Sequence, residues 1–235
     1  MNTGYIETRD PEAVLLKRLL LVCGILSSVY YIALNIFIPM LWSEYSVVTQ
    51  TVSELSAIGA PTRQIWVWLG MLYIFFFASF GFGVLKFAGN NRSLRIVGRL
   101  IIAYCIVNFY WPPMHLREAL ASDGGTISDT LHLVWAAIAV IFMMFMMGFG
   151  ATIFGKEFRY YTIATMVTQI LFGILTGMES PNIAHNLSTP MIGIWERINI
   201  GVFMIWIIVF AVQLLRKEIH QTETIGSSKN KLVQE

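Results

Sequence analysis

Residues 108–118 read Asn-Phe-Tyr-Trp-Pro-Pro-Met-His-Leu-Arg-Glu, and after Gly124 and Gly125 the chain continues at 126–132 as Thr-Ile-Ser-Asp-Thr-Leu-His. This polar stretch joins two strongly apolar segments. The two prolines cannot donate a backbone hydrogen bond, so they end the preceding helix. Pro113 suits the first turn of a short new helix carrying His115 and Glu118. The stretch therefore predicts a turn between two membrane helices.

Composition places the whole chain among membrane proteins. Of its 235 residues, 56% are hydrophobic and 13% are charged, with a mean hydropathy of +0.65. A soluble domain carries about 25% charged residues. The net charge of +2 is too small to indicate a nucleic-acid partner. The predicted partner is the lipid bilayer.

Six apolar segments are candidates to cross the membrane, because a spanning helix needs about 20 apolar residues. They are Leu16–Trp42, Gln64–Ala88, Ile96–Trp111, Thr130–Phe154, Tyr160–Met178 and Met191–Leu215. The predicted fold is an all-α integral membrane protein with six transmembrane helices. Its domain occupies residues 15–216, between a polar N-terminal segment at 1–14 and a polar tail at 217–235.

The basic residues predict the orientation of these helices. Thirteen of the 16 lysines and arginines lie in the termini and in the loops that follow the second and fourth segments. The opposite side holds only Arg63, Arg117 and Arg197. Positive charge stays cytoplasmic, so both termini are expected in the cytoplasm of a cell-membrane protein.

The first outer loop carries a pattern of its own. Apolar residues between Ser43 and Ile58 recur at roughly helical spacing, while Gln50 and Glu54 share another face. The spacing predicts a short amphipathic helix on the outer surface, with Glu54 near the histidines.

Most of the other chemistry-bearing residues also fall on the outer half. That side has seven acids against three arginines, a balance that favours a cationic or metal partner over a phosphate. The candidate outer-face site consists of Glu54, His115, Asp129, His132, His185, Glu196 and Arg197.

Two pairs within this set are the most suggestive. His132 follows Asp129 by three residues, so the carboxylate could orient the imidazole, and a plain helix-end pair is the alternative. Glu196 and Arg197 lie inside the last apolar segment, where charge is costly unless it faces the bundle interior or water. Glu196 is predicted to face inward and pair with His132 or His115. Arg197 can snorkel toward headgroups or pair with Asp129.

Several short motifs resemble a known family. They are Ser-Glu-Leu-Ser-Ala-Ile-Gly-Ala-Pro at 53–61, Trp111-Pro112, His132 at the start of a helix, and Glu196-Arg-Ile. Their order resembles a family of six-helix prokaryotic membrane proteins catalogued as domain of unknown function nine-nine-eight. The resemblance implies fold and location. It implies no activity, because the family has none established.

Three functions remain open at this level. The first is a multi-pass membrane protein whose polar outer vestibule binds a lipid or small molecule. The second is a metal-dependent intramembrane hydrolase open to the outer face, with His115, His132 and His185 as zinc ligands beside Asp129 or Glu196. The third is a structural or partner-binding protein whose polar residues only cap helices and seal loops.

Overall fold

The computed structural model describes residues 10–233, with side chains through residue 222. The described chain is helical, and its one β-type contact is an isolated bridge between Ile58 and His115. The α-helices are α1 Pro11–Phe37, α2 Arg63–Ala88, α3 Arg92–Phe109, α4 Arg117–Asp123, α5 Ile127–Gly150, α6 Lys156–Ala184 and α7 Ile192–Val233. Most of the predicted segment 1–14 lies outside the described residues, as do the side chains of the tail beyond residue 222.

The protein is a multi-pass membrane protein. Five of the described helices are long and apolar enough to cross a bilayer: α1 with the turn after it, α2, α5, α6 and the Ile192–Thr222 part of α7. α3 is the exception, since its 18 residues begin with three arginines in two turns. α7 is longer than predicted, because its 42 residues continue as helix through the expected polar tail.

The long helices pack in the order α5, α3, α2, α1, α7, α6. α3 lies between α5 and α2, α1 between α2 and α7, and α6 packs on α7. α5 and α6, at the two ends of this order, contact each other only sparsely, and α5 also meets α7 where Gly150 faces Trp206. The contact between α5 and α6 is therefore the weakest between neighbouring helices of the bundle.

The two ends of the bundle differ in chemistry. The basic end is defined here as residues 86–95 and 151–159. There, Thr152 Oγ1 in the loop after α5 lies 2.9 Å from Ser93 Oγ in the first turn of α3, and Asn91 caps α3 by accepting from Leu94 N–H at 3.0 Å. The polar end is defined here as residues 38–62, 110–126 and 185–191, and these three segments contact one another.

The core near the basic end is aromatic and tightly packed. Trp206 and Phe210 are fully buried and stack with ring centroids 4.9 Å apart. Gly150 of α5 faces Trp206 so closely that a Cβ built there would lie 2.5 Å from Cζ2 of the indole. Small residues thus bring neighbouring helices into direct contact.

Candidate functional site

The loop between α1 and α2 is folded against the bundle rather than helical. Within Ser43–Ile58, only Ser53–Ser56 forms a helical turn, of the 3₁₀ type, so the predicted amphipathic helix is not present as a continuous helix. Tyr45 Oη donates to the carbonyl of Thr51 at 2.7 Å, and the Glu54 carboxylate accepts from Thr51 N–H at 2.7 Å. Such side chain to backbone bonds compete with helical ones, which explains why the apolar spacing was misleading.

Arg117 connects the segments of the polar end through Glu54. Its Nε donates to Glu54 Oε1 at 2.8 Å and its Nη2 to Oε2 at 3.0 Å, a bidentate pair. The same guanidinium donates to Thr189 Oγ1 at 3.1 Å and to the Thr49 carbonyl at 3.2 Å. Burial by itself lowers the pKa of Arg117, but the hydrogen bonds and charge of Glu54 outweigh it and raise the pKa. The charged partner of Glu54 is therefore Arg117, and the hydrogen bonds of its carboxylate go to Arg117 and the loop rather than to a histidine.

Asp129 organises the turn before α5. Its carboxylate accepts from Thr126 N–H at 2.8 Å and from Thr126 Oγ1 at 2.7 Å, which caps the helix. It also accepts from His115 N–H at 2.7 Å and lies 3.1 Å from His115 Nδ1. The partner of Asp129 is thus His115 rather than His132. His115 itself precedes α4, because the short helix predicted from Pro113 begins four residues later, at Arg117.

His132 is buried and has partners on both ring nitrogens. Nδ1 lies 2.7 Å from the Pro112 carbonyl, and Nε2 lies 3.1 Å from Ser53 Oγ. A carbonyl oxygen only accepts, so Nδ1 carries a proton and donates to Pro112. In the neutral ring, Nε2 is then free to accept from the Ser53 hydroxyl.

Glu196 points into the bundle and contacts the same serine. Its carboxylate accepts from the Val52 backbone N–H in a short hydrogen bond, and its Oε1 lies 3.4 Å from Ser53 Oγ. The expected inward orientation is therefore present, but the partners are Ser53 and Val52. His132 is reached only through the Ser53 hydroxyl that both residues contact.

Arg197 holds the loop in place instead of reaching headgroups or Asp129. It donates to the Val47 carbonyl at 3.0 Å and to Tyr45 Oη at 2.7 Å. Its guanidinium carbon also lies 5.6 Å from the centre of the Tyr45 ring. Glu196 and Arg197 consequently fasten α7 to two different parts of one loop.

A cavity of about 410 Å³ lies below this network. Its wall is mainly apolar and aromatic, with contributions from the α1–α2 loop and from every long helix. Ser53, His132 and Glu196 line one part of it. The lining residues that are also exposed, Leu133, Ala137 and Gly177, lie on α5 and α6. The mouth of the cavity therefore lies between these two helices.

The family model for Protein of unknown function (DUF998) matches residues 25–213. The chain belongs to the DUF998 family. No curated protein and no solved structure matches it significantly. The match covers the residues of the network and of the cavity, so both lie within the family's domain.

In this DUF998 protein the three outer histidines do not assemble into one site. His115 pairs with Asp129, His132 contacts Ser53, and His185 is exposed at the C-terminal end of α6. Among the described residues there is no group of three or more His, Cys, Asp or Glu side chains that could hold a metal ion. The geometry thus gives the predicted zinc ligands no support.

Of the seven predicted site residues, His132 and Glu196 line the cavity of the DUF998 protein. Glu54 and Arg197 stabilise the loop above it, and His115 and Asp129 hold the turn beside it. The sequence did not identify Ser53 and Arg117, whose side chains contact the predicted site residues His132, Glu196 and Glu54. Ser53 could have been found, because it begins the longest motif of the family resemblance and directly precedes Glu54.

Proposed function

We propose that this DUF998 protein binds an amphipathic, single-chain lipid-like molecule in its lateral cavity. The chain of the ligand lies against the apolar wall, and its polar group meets Ser53, His132 and Glu196. The observation that supports this proposal is a cavity of about 410 Å³ with one polar region and a mouth between α5 and α6. Ligand sites of about 300–1,000 Å³ with few polar groups are typical of small-molecule binding.

The position of the mouth favours a lipid over a water-soluble ligand. Leu133, Ala137 and Gly177 are exposed on helices long and apolar enough to span a bilayer. A molecule already dissolved in the membrane reaches such an opening without leaving the hydrocarbon. A ligand with one chain and one polar group matches both the wall and the polar region.

A photoreactive monoalkylglycerol, the ether analogue of a monoacylglycerol, with a diazirine in its chain tests the binding. The purified protein in mixed micelles is expected to be labelled at residues of α5 and α6 that line the cavity, with competition by the same ether without the diazirine. Ala136→Phe fills the cavity and should strongly reduce labelling. Ala164→Phe, on an exposed position of α6, is the matched control and should not. Equal labelling of both variants would favour the structural or partner-binding alternative.

We further propose that the protein lies in the cell membrane with six crossings and both termini in the cytoplasm. α3 extends from the basic end to the polar end, so it traverses the bundle although its first two turns carry arginines. Its 18 residues span about 27 Å, close to the hydrocarbon thickness of about 30 Å. Its arginines can snorkel to the near interface.

Cysteine labelling of intact cells tests this topology. An impermeant maleimide should modify single cysteines placed at 124–126 but not those placed at 90–93. The reverse pattern would contradict the cytoplasmic assignment of the termini.

A further inference from the structure

We infer that Ser53 and His132 form a nucleophile–base pair that transfers the acyl group of a long-chain carboxylic ester to water. The inference rests on the proposed function, because the ester must enter the lateral cavity to reach Ser53. It goes beyond binding by assigning a reaction and its substrate class, an ester of a fatty acid.

The first support is the geometry of the pair. Ser53 Oγ and His132 Nε2 are 3.1 Å apart, within the distance at which an imidazole takes a proton from a serine hydroxyl. The Pro112 carbonyl, 2.7 Å from Nδ1, fixes the tautomer that leaves Nε2 free to accept. The backbone carbonyl thus orients the ring as a third group does in serine hydrolases.

The second support is where the pair is located. Ser53 and His132 both line the apolar cavity, and His132 is only 3% exposed. A serine–histidine contact that merely ties a loop to a helix has no need to face a ligand-sized space. Here the reacting atoms and the space for an acyl chain are contiguous.

Glu196 acts as a positioning residue for this pair. Its carboxylate accepts from Val52 N–H and lies 3.4 Å from Ser53 Oγ, so it fixes the backbone that carries the nucleophile. A carboxylate beside the shared hydroxyl also favours the imidazolium that forms on His132 when the proton moves.

Trp135 forms part of the cavity wall beside this pair. It follows His132 by three residues, its side chain lines the cavity, and the two rings lie 5.4 Å apart between centroids.

The reaction proceeds in two balanced steps. Ser53 Oγ attacks the ester carbonyl carbon while His132 Nε2 takes the hydroxyl proton, and the imidazolium then protonates the departing alcohol. The acyl group is now bonded to Ser53. A water molecule, deprotonated by the same Nε2, attacks this ester, and the proton returns to Ser53 Oγ as the fatty acid leaves. No oxidant, reductant or cofactor enters the balance.

A fluorophosphonate carrying a long alkyl chain tests the nucleophile. Incubated with the purified protein in mixed micelles, it is expected to modify Ser53, identified by mass spectrometry of the peptide. A p-nitrophenyl ester of a long-chain fatty acid gives the turnover rate. Ser53→Ala should abolish both signals. Ser122→Ala, an exposed serine of α4 outside the cavity, should leave both unchanged.

Two substitutions of His132 separate its base from its structural contact. His132→Asn can keep a donor toward the Pro112 carbonyl but has no atom at the Nε2 position. His132→Gln can place an amide near Ser53 but no base. Both should lower the rate of labelling about 100-fold or more.

Photolabelling by the monoalkylglycerol, an ether that the proposed reaction cannot cleave, is measured in parallel and distinguishes the two proposals. If the Ser53→Ala and His132→Asn variants still bind the photoreactive lipid, they are folded. Their loss of ester turnover then reflects the missing nucleophile or base rather than misfolding. A parent protein that binds the lipid but shows neither fluorophosphonate modification of Ser53 nor ester turnover would overturn this inference and leave the proposed binding intact. Absence of binding as well would overturn both.

Discussion

The two halves of this bundle are built by different interactions. Near the basic end, Phe80, Trp206 and Phe210 are fully buried, and glycines let the helices approach to direct contact. Near the polar end, the helices are joined by loops that charged side chains hold in place. The main examples are the ion pair of Arg117 with Glu54 and the hydrogen bonds of Arg197 to backbone carbonyls.

The difference explains why the cavity lies where it does. Apolar side chains fill space by adjusting rotamers, so the basic half packs solidly. Hydrogen bonds have fixed lengths and directions, so a network of them can hold helices apart. The polar half therefore provides both the polar groups that line the cavity and the space beside them.

Breaking the pair between Arg117 and Glu54 should have the largest effect. Glu54 is fully buried and Arg117 is 11% exposed, so Arg117→Met leaves a buried carboxylate without its cation. The free energy of unfolding is expected to fall by about 3–5 kcal/mol in denaturant titrations in mixed micelles.

The control for this variant is Glu118→Gln, an exposed neighbour, which should change stability by less than about 0.5 kcal/mol. The double variant Glu54→Leu with Arg117→Met should lose less than the sum of the two single losses. Strict additivity would show that the two side chains are not energetically coupled.

Disrupting the close packing of the basic half should have an intermediate effect. Gly150→Ala places a methyl group 2.5 Å from the Trp206 indole, and the overpacking should cost about 1–3 kcal/mol. The same measurement on Gly148→Ala is the matched control, because nothing lies within 4 Å of a Cβ at that position of the same helix. Equal losses at the two sites would mean that the contact with Trp206 is not tight.

Replacing Glu196 with glutamine should have the smallest effect on stability, and the contrast with leucine shows what Glu196 contributes to the polar half. Glu196→Gln keeps an oxygen to accept from Val52 N–H, so the loss is expected to stay below about 1 kcal/mol. Glu196→Leu leaves that N–H unpaired and should cost about 1–3 kcal/mol.

Thermal unfolding of both Glu196 variants in the same detergent measures the difference. If the glutamine variant were as unstable as the leucine variant, the charge rather than the accepting oxygen would hold the loop. Slower fluorophosphonate modification of Ser53 in a stable glutamine variant would agree with a positioning role.

The sequence predicted most of the helical framework because long apolar runs leave few alternatives in a bilayer. Each of the six predicted segments overlaps one long helix, and the Pro112–Pro113 turn ends α3 as expected. The Ser43–Ile58 helix was wrong because side-chain hydrogen bonds within the loop, such as that of Glu54, override apolar spacing.

The partners of the polar residues could not be read from the sequence. Glu196 was identified as a site residue from its depth in an apolar segment, and His132 from its position three residues after Asp129. Ser53, which connects them, is 79 residues from His132 and 143 from Glu196. The family motif marks Ser53, but a motif does not show which helices its side chain will contact.

The sequence by itself determined that this is an α-helical membrane protein of the DUF998 family, because hydropathy and motif order are properties of the chain. Only the tertiary structure decided that Arg117 pairs with Glu54, that Ser53 lies between His132 and Glu196, and that the mouth of the cavity lies between α5 and α6. These facts depend on which helices pack together and at what distance. That choice is made by side-chain volumes and hydrogen-bond geometry across the whole fold.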